Sequence, residues 1–160
     1  MINKNNKFLV FLLFVISIAF VSALIIQYVL GHQPCKLCIY QRIPYILSIL
    51  LIIVILVFKK YEKITLLILF ITFFFSFSLG FYHFGIEQGF FNELSVCKTE
   101  ILNESLSKEE ILKQLNQNFI SCKDVNFRFL GLSLAAINSI FSFLLSIVFI
   151  RLFIKYGKNR

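Results

Sequence analysis

The stretch FLVFLLFVISIAFVSALIIQYVL (8–30) contains 23 consecutive residues without a charge. At about 1.5 Å of rise per residue, a helix of this length spans about 34 Å, more than the ~30 Å hydrocarbon core of a bilayer. The apolar run is also longer than that of a usual signal peptide, so we expect it to be retained rather than cleaved. This stretch therefore predicts a membrane protein.

Three further apolar runs follow the first. Together they predict four transmembrane helices at about 8–30, 41–58, 64–86 and 129–152. The composition agrees, because 59% of the 160 residues are hydrophobic and 21 are Phe, which is more apolar bulk than one soluble core needs. We predict an all-α membrane protein with a single integral membrane domain over residues 1–160, built as a four-helix bundle.

The second run has an uncharged core of only 16 residues, Ile43 to Phe58. A helix of that length spans about 24 Å, which is short for a bilayer. The second helix therefore either starts earlier, near Cys38, or crosses a thinner membrane. Pro44 prefers the first turn of a helix, which favours a start near Ile43 and would leave the cysteines before it in a loop.

The charges orient the four predicted helices. Nine Lys and Arg residues lie at the two chain ends and in the link between the second and third helices, beside a single acidic residue. The loops at about 31–40 and 87–128, together with Arg42 just after the first, carry seven basic and seven acidic residues. The positive-inside rule places both termini in the cytoplasm and both loops on the outer side of the membrane. This distribution explains the net charge of +8 without nucleic acid, which we do not expect as a partner.

The second predicted loop contains the pattern of a short helix. In LSKEEILKQLNQNF (106–119), Ser107 is a candidate N-cap and Glu110 its capping-box partner. Apolar residues then recur at intervals of three and four. We expect an amphipathic helix that lies on the outer membrane interface.

All four cysteines fall in the two predicted outer loops, where disulfides persist. Cys35 and Cys38 form a Cys-x-x-Cys pair in the first loop, and Cys97 and Cys122 lie in the second. Zinc is not predicted, because the second pair lacks the close spacing of a zinc half-site. Two fixed structural disulfides would explain the even number, but a Cys-x-x-Cys ring is too small to constrain an unfolded chain much. We therefore favour thiol–disulfide exchange, although the sequence leaves three pairings open.

Arg42 follows Cys38 by four residues, so in a continuous helix the two would share a face. A nearby guanidinium favours the thiolate, which is the attacking form of a cysteine. The electrons that the thiols collect also need an acceptor. The sequence has no glycine-rich nucleotide loop and only two histidines, so a quinone dissolved in the bilayer, beside Cys38 and Arg42, is the acceptor that it favours.

The segment CKLCIYQRIPY (35–45) resembles the signature of the DsbB family of disulfide bond formation proteins. GFYHFGIEQGFF (80–91) and SCKDVNFRFLGLSLAAINSI (121–140) resemble two later segments of that family. The resemblance implies an inner-membrane oxidoreductase that reoxidises a periplasmic, DsbA-like thioredoxin-fold protein and reduces ubiquinone or menaquinone.

The resemblance also implies roles for the cysteines. Cys97 would form the mixed disulfide with the partner, and Cys122 would be its resolving mate. Cys35 would exchange with Cys122 across the two loops, and Cys38 would deliver the electrons to the quinone.

Arg42 and His83 are the residues that the resemblance places beside the quinone. Glu87, four residues after His83, would either orient that histidine or face water. Gly85 and Gly89 match a G-x-x-x-G pattern, a weak indication of close helix contact.

Two other functions remain open at this stage. A non-catalytic four-span adaptor would use the same cysteines as fixed disulfides. An enzyme of the vitamin K epoxide reductase type would also join thiols to a quinone, but there the Cys-x-x-Cys pair follows the loop pair in the chain, whereas here it comes first.

Overall fold

The computed structural model describes residues 4–92, 122–123, 128–129 and 131–158. Its helices are α1 (Lys4–Tyr28), α2 (Lys36–Tyr40), α3 (Ile43–Val57), α4 (Glu62–Glu87) and α5 (Leu134–Lys158), with a 3-10 turn at Lys59–Tyr61. Two short strands, β1 (Arg128–Phe129) and β2 (Leu132–Ser133), pair antiparallel before α5. The amphipathic helix predicted at 106–119 lies outside the described residues, and the assignment of 1–160 to one domain stays a prediction.

Four spans of the described chain are long and apolar enough to cross a membrane, when α2 and α3 are counted as one. This confirms the prediction of an all-α, multi-pass membrane protein. Helices α4 and α5 pack along each other most extensively, while α1 packs mainly on α3. The core contains Phe73 and Phe149, whose rings stack with their centroids 5.5 Å apart.

The outward faces of the helices are as apolar as the core. Phe11, Phe14 and Phe75 are each more than half exposed, and no membrane surrounds them in the structure. Such a surface would be unfavourable in water, whereas it suits contact with lipid chains. The high phenylalanine content is therefore divided between the interior of the bundle and its lipid-facing surface.

The second span is long enough because it starts early, at Lys36, and it is broken rather than continuous. The chain leaves the helical path at Gln41 and Arg42, and α3 begins at Ile43 with Pro44 in its first turn, as the proline predicted. Because Pro44 has no backbone N–H, it cannot continue the hydrogen-bond pattern of α2 into α3. The cysteines do not lie in a plain loop, however, since Cys35 caps α2 and Cys38 lies within it.

The fourth helix starts at Leu134, five residues later than the predicted boundary at 129. The intervening residues instead form the hairpin of β1 and β2, with Gly131 at φ +82° in the connecting turn. Only glycine adopts this conformation without strain. Ser133 then caps α5, because its hydroxyl accepts a hydrogen bond from the Ala136 N–H at 3.2 Å. The apolar run from residue 129 predicted a continuous helix and gave no sign of this turn.

A close approach of α4 to α5 involves Gly80, a glycine outside the G-x-x-x-G pair. A Cβ on Gly80 of α4 would meet the Cα of Ser139 in α5 at 3.1 Å. Gly85 instead lies against the ring of Phe91, and Gly89 adopts φ +78° after the end of α4. The Phe90 N–H bonds to the Gly85 carbonyl and the Gly89 N–H to that of Ile86, which is a Schellman cap. The pattern therefore terminates a helix and does not join two.

Candidate active site

The two cysteines of the first loop lie together at the start of the second span. The Sγ atoms of Cys35 and Cys38 are 2.7 Å apart and are not bonded to each other, so they share one hydrogen bond. Cys35 is the N-cap of α2, and its sulfur also accepts a hydrogen bond from the Cys38 backbone N–H at 3.2 Å. The start of α2 therefore directs its unpaired N–H groups towards Cys35 rather than Cys38.

These contacts lower the pKa of Cys35 from 9.0 to about 5. The hydrogen bond from the Cys38 side chain contributes most, and burial opposes it. The His83 ring and the Cys38 N–H lower the pKa of Cys35 further. Each donor stabilises the thiolate more than the thiol, because a charged acceptor forms the stronger hydrogen bond. Cys35 is therefore a thiolate at neutral pH.

Cys122, from the second loop, lies beside this pair. Its sulfur forms a disulfide, and its side chain is almost fully buried. The Cys122 sulfur, the Cys35 sulfur and a ring nitrogen of His83 all lie within 4.8 Å of one another. Cys97 lies outside the described residues. The two loops are therefore far apart in sequence but bring sulfurs from both cysteine pairs to one place.

Three donors at this separation could also hold a metal ion. The sequence did not predict this set of donors. Close spacing along the chain is the usual signal of a metal site, whereas here the fold brings the three residues together from two loops and a helix. In the described state one of the two sulfurs, that of Cys122, is already part of a disulfide.

His83 lies in α4 directly behind the sulfurs. Its Nε2 is 3.5 Å from the Cys35 Sγ, and the residue is 2% exposed. On the other side of the ring, Nδ1 is 3.0 Å from the side-chain nitrogen of Gln41. The break between α2 and α3 directs Gln41 inward, where it is 6% exposed. The histidine is therefore held between a reactive sulfur and an amide.

Glu87 is one helical turn after His83, and its Oε1 is 3.8 Å from the His83 Nε2. Its side chain is 6% exposed, so this carboxylate faces the site and not water. The second oxygen, Oε2, is buried, and it has no hydrogen-bond partner among the residues that the structure describes. Of the two expectations for Glu87, the structure supports orientation of the histidine.

A line of hydrogen bonds continues from Gln41 into the bundle. The Gln41 carbonyl oxygen accepts from the Asn138 amide of α5 at 3.0 Å. The Asn138 oxygen in turn accepts from the hydroxyl of Tyr45 in α3. Tyr45 lies 3.4 Å from the Ser142 hydroxyl, and this is 2.9 Å from the hydroxyl of Ser76 in α4. We call this series, from His83 through Gln41, Asn138, Tyr45 and Ser142 to Ser76, the polar ladder.

The four-residue spacing between Cys38 and Arg42 did not predict the partner of the guanidinium. Cys38 lies in α2, whereas Arg42 is the N-cap of α3. The Arg42 guanidinium donates a hydrogen bond to the side-chain oxygen of Gln27 in α1. The thiolate that the structure favours is Cys35, and its stabilisation comes from α2 and His83.

A cavity of about 330 Å³ adjoins the cysteines and Arg42. Small and apolar residues of α1 and α5 form much of its wall, and Cys38, Gln41 and His83 reach it from the other side. The apolar residues include Ala19, Ala23, Ile26, Ala135 and Phe141. Such a volume, with mostly apolar walls and a few polar groups, is typical of a small-molecule site.

Sequence reasoning missed Gln27, Gln41, Asn138 and Tyr45. A signal was present for two of them, because Gln27 carries the only amide in the first apolar run and Asn138 the only amide in α5 before Arg151. Polar residues within membrane spans are uncommon, and they usually face a partner or a cavity. The sequence gives no such signal for Gln41 and Tyr45. The contacts of their side chains depend on how α2 joins α3.

The comparisons with known proteins agree with this geometry. The family model described as "Disulfide bond formation protein DsbB" matches residues 5–152. A relative in Rickettsia prowazekii (strain Madrid E), called "Uncharacterized protein RP370", is 29% identical over 161 residues. That alignment covers 98% of this chain and 93% of the relative.

Proposed function

Because this chain belongs to the DsbB family of disulfide bond formation proteins, we propose that it reoxidises a DsbA-like thiol oxidase and reduces a membrane quinone. Family membership and four membrane-spanning helices make it a membrane protein of a disulfide oxidoreductase family. One observation carries the finer proposal. The Cys35–Cys38 pair has the half-cystine Cys122 on one side and an apolar cavity on the other.

Electrons enter from the side of the second loop. A thiolate of the partner attacks Cys97, the Cys97–Cys122 bond breaks, and the electron pair leaves on Cys122. Cys122 then attacks Cys35 of an oxidised Cys35–Cys38 pair, so that an interloop disulfide forms and Cys38 becomes the thiolate. The short distance between the Cys35 and Cys122 sulfurs supports this exchange, because it needs little movement.

Two further exchanges complete the transfer. The second thiolate of the partner displaces Cys97, and the partner leaves as a disulfide. Cys97 then attacks Cys122, the Cys97–Cys122 bond re-forms, and Cys35 leaves as a thiolate. The result has an oxidised Cys122 beside two free thiols at 35 and 38, which is the state that the structure describes.

The cavity fits the chemistry of a quinone. Its apolar wall suits a ring and an isoprenoid chain, Arg42 supplies hydrogen-bond donors for ring oxygens, and His83 reaches the same cavity. A bound quinone would take up two electrons and two protons and leave as the quinol. In this proposal, Cys38 faces that cavity and closes the disulfide with Cys35, while Arg42 orients the acceptor from its bond with Gln27.

We also propose the orientation that the charges favour. The cysteines face the periplasm, and both termini lie in the cytoplasm of a bacterial inner membrane. A membrane-impermeant thiol reagent applied to intact spheroplasts of an expressing strain should label the cysteines after reduction. Labelling that appears only after lysis would contradict this orientation.

The function is tested with purified protein, a reduced DsbA-type protein and a quinone whose absorbance reports its reduction. The proposal expects one quinol for each partner disulfide formed. Cys38→Ser should abolish quinol formation but still capture the partner as a mixed disulfide at Cys97. Cys97→Ser is the matched control, because it should lose both capture and quinol formation. Continued turnover of Cys38→Ser would refute the assigned role, and an unreduced quinone in the wild-type reaction would refute the function.

A further inference from the structure

The polar ladder couples the directions of its amides to one another. When the Tyr45 hydroxyl is the donor, the Asn138 oxygen accepts from it and the Asn138 nitrogen faces Gln41. The Gln41 oxygen accepts from that nitrogen, so the Gln41 nitrogen faces Nδ1 of His83. Turning the Gln41 amide alone would bring two NH2 groups against each other, because Asn138 already presents its nitrogen there.

This direction determines which nitrogen of His83 carries the proton. With the Gln41 N–H as the donor, Nδ1 accepts and the ring proton lies on Nε2. Nε2 is the nitrogen that faces the Cys35 sulfur at 3.5 Å and Glu87 at 3.8 Å.

We propose that Gln41 is a positioning residue that holds His83 as the neutral Nε2–H tautomer, so that the histidine stabilises Cys35 as the leaving thiolate when the interloop disulfide is resolved. The inference rests on the proposed function and deepens it. It gives His83 a task in thiol exchange, separate from the contact with the quinone that the sequence suggested.

The step itself balances without a proton transfer. The Cys97 thiolate attacks Cys122, the Cys97–Cys122 bond forms, and the Cys35–Cys122 bond breaks. The electron pair stays on Cys35, which accepts hydrogen bonds from the Cys38 N–H and the His83 Nε2–H. A thiol leaves faster as its thiolate is better stabilised. Because the Gln41 N–H donates to Nδ1, the ring donates to Cys35 from Nε2 as a neutral group.

The first test reads the tautomer directly. The chain has only two histidines, His32 and His83, so a His32→Asn variant assigns both in a ¹⁵N-histidine-labelled protein. We expect wild-type His83 to show a protonated Nε2 and an unprotonated Nδ1. In Gln41→Glu the carboxylate accepts from Nδ1, so that nitrogen should carry a proton. A protonated Nδ1 in the wild type would overturn the proposal.

The charged and titratable groups around the ring are Cys35, Glu87 and, at the Cys122 side, Arg128, which acts on Glu87. The matched control is therefore Gln88→Glu, which adds the same charge at an exposed position one residue after Glu87. It should leave the His83 resonances unchanged. A similar shift in this control would mean that added charge, and not the Gln41 contact, sets the tautomer.

The second test follows the interloop disulfide in a single turnover with reduced partner and no quinone. His83→Leu and Gln41→Leu should slow its resolution roughly tenfold to a hundredfold, the effect of one hydrogen bond to a charged group. His83→Gln keeps an N–H donor near the Nε2 position and should retain most of the rate. Resolution at the wild-type rate in His83→Leu would overturn the inference.

Failure of this inference and failure of the proposed function are separable. The tautomer measurement needs neither partner nor quinone, and the exchange measurement needs no quinone. If His83→Leu resolves normally while the wild type reduces quinone, the function stands and the inference falls. If the wild type shows the Nε2–H tautomer but never reduces quinone, the assignment of the ring proton stands and the acceptor is wrong.

Discussion

Thiolate formation at Cys35 is the most direct consequence of the site geometry that can be measured. In a Cys97→Ser, Cys122→Ser double variant, Cys35 and Cys38 are the only thiols of the chain. The pKa of Cys35 is lowered from 9.0 to about 5. At pH 7 a thiol with a pKa of 9.0 is about 1% ionised, whereas a pKa near 5 makes it almost fully ionised, roughly a hundredfold increase in thiolate.

The assay is the ultraviolet absorbance of the thiolate, followed from pH 4 upward and matched by alkylation mapped to each cysteine. We expect one absorbance step near pH 5 that belongs to Cys35. Cys38→Ala should raise the pKa of Cys35 most, because the Cys38 side chain is the largest cause of its lowering. His83→Leu should raise it less. A first step near pH 9 in the starting protein, or no change in Cys38→Ala, would refute the reasoning.

The sign of the effect on stability follows from the same pKa. The unfolded thiol keeps its proton up to about pH 9, whereas the folded Cys35 loses it near pH 5. Between these values the unfolded state binds more protons, so the free energy of unfolding of the reduced protein should rise with pH in that window. Below pH 5 this contribution is absent, and forming the Cys35–Cys38 disulfide should remove it at every pH.

Three further outcomes are expected. Gln27→Leu removes the acceptor that orients Arg42, so the KM for quinone should rise several-fold while capture of the partner is unchanged; equal KM values for both proteins would contradict this role. Glu87→Gln removes a carboxylate that opposes the Cys35 thiolate, so the titration of Cys35 should move to lower pH, and a move upward would be inconsistent with the structure. Gly80→Ala forces a Cβ against the backbone of Ser139 and should destabilise the bundle by about 1–3 kcal/mol in a denaturing detergent titration, whereas wild-type stability would show that the helices are not in close contact there.

The sequence was sufficient for the fold because each span is a long uncharged run, and this pattern depends on length and composition alone. It was less informative at the ends of helices. The start of α5 was placed too early because the hairpin before it is nearly as apolar as the helix, and only Gly131 marked the turn.

The candidate site was predictable in its residues but not in their contacts. The cysteines and His83 could be named from spacing and resemblance. The partner of Arg42 could not, because a four-residue interval implies a shared face only when the helix is continuous, and Pro44 interrupts it. Gln41 likewise gains its role from contacts with His83 and Asn138, which lie far away in the chain, and no periodic pattern encodes them.

The polar ladder has a mechanical consequence for the membrane protein as a whole. Its hydroxyls and amides cross between α3, α4 and α5, where hydrocarbon offers no alternative partner. Shifting any one of these helices along its axis by one turn would leave several buried polar groups without hydrogen-bond partners. The ladder therefore fixes the axial positions of the three helices relative to one another. The position of the Cys35–Cys38 pair along the bundle is thereby set by contacts inside the bundle and not by the length of the second loop.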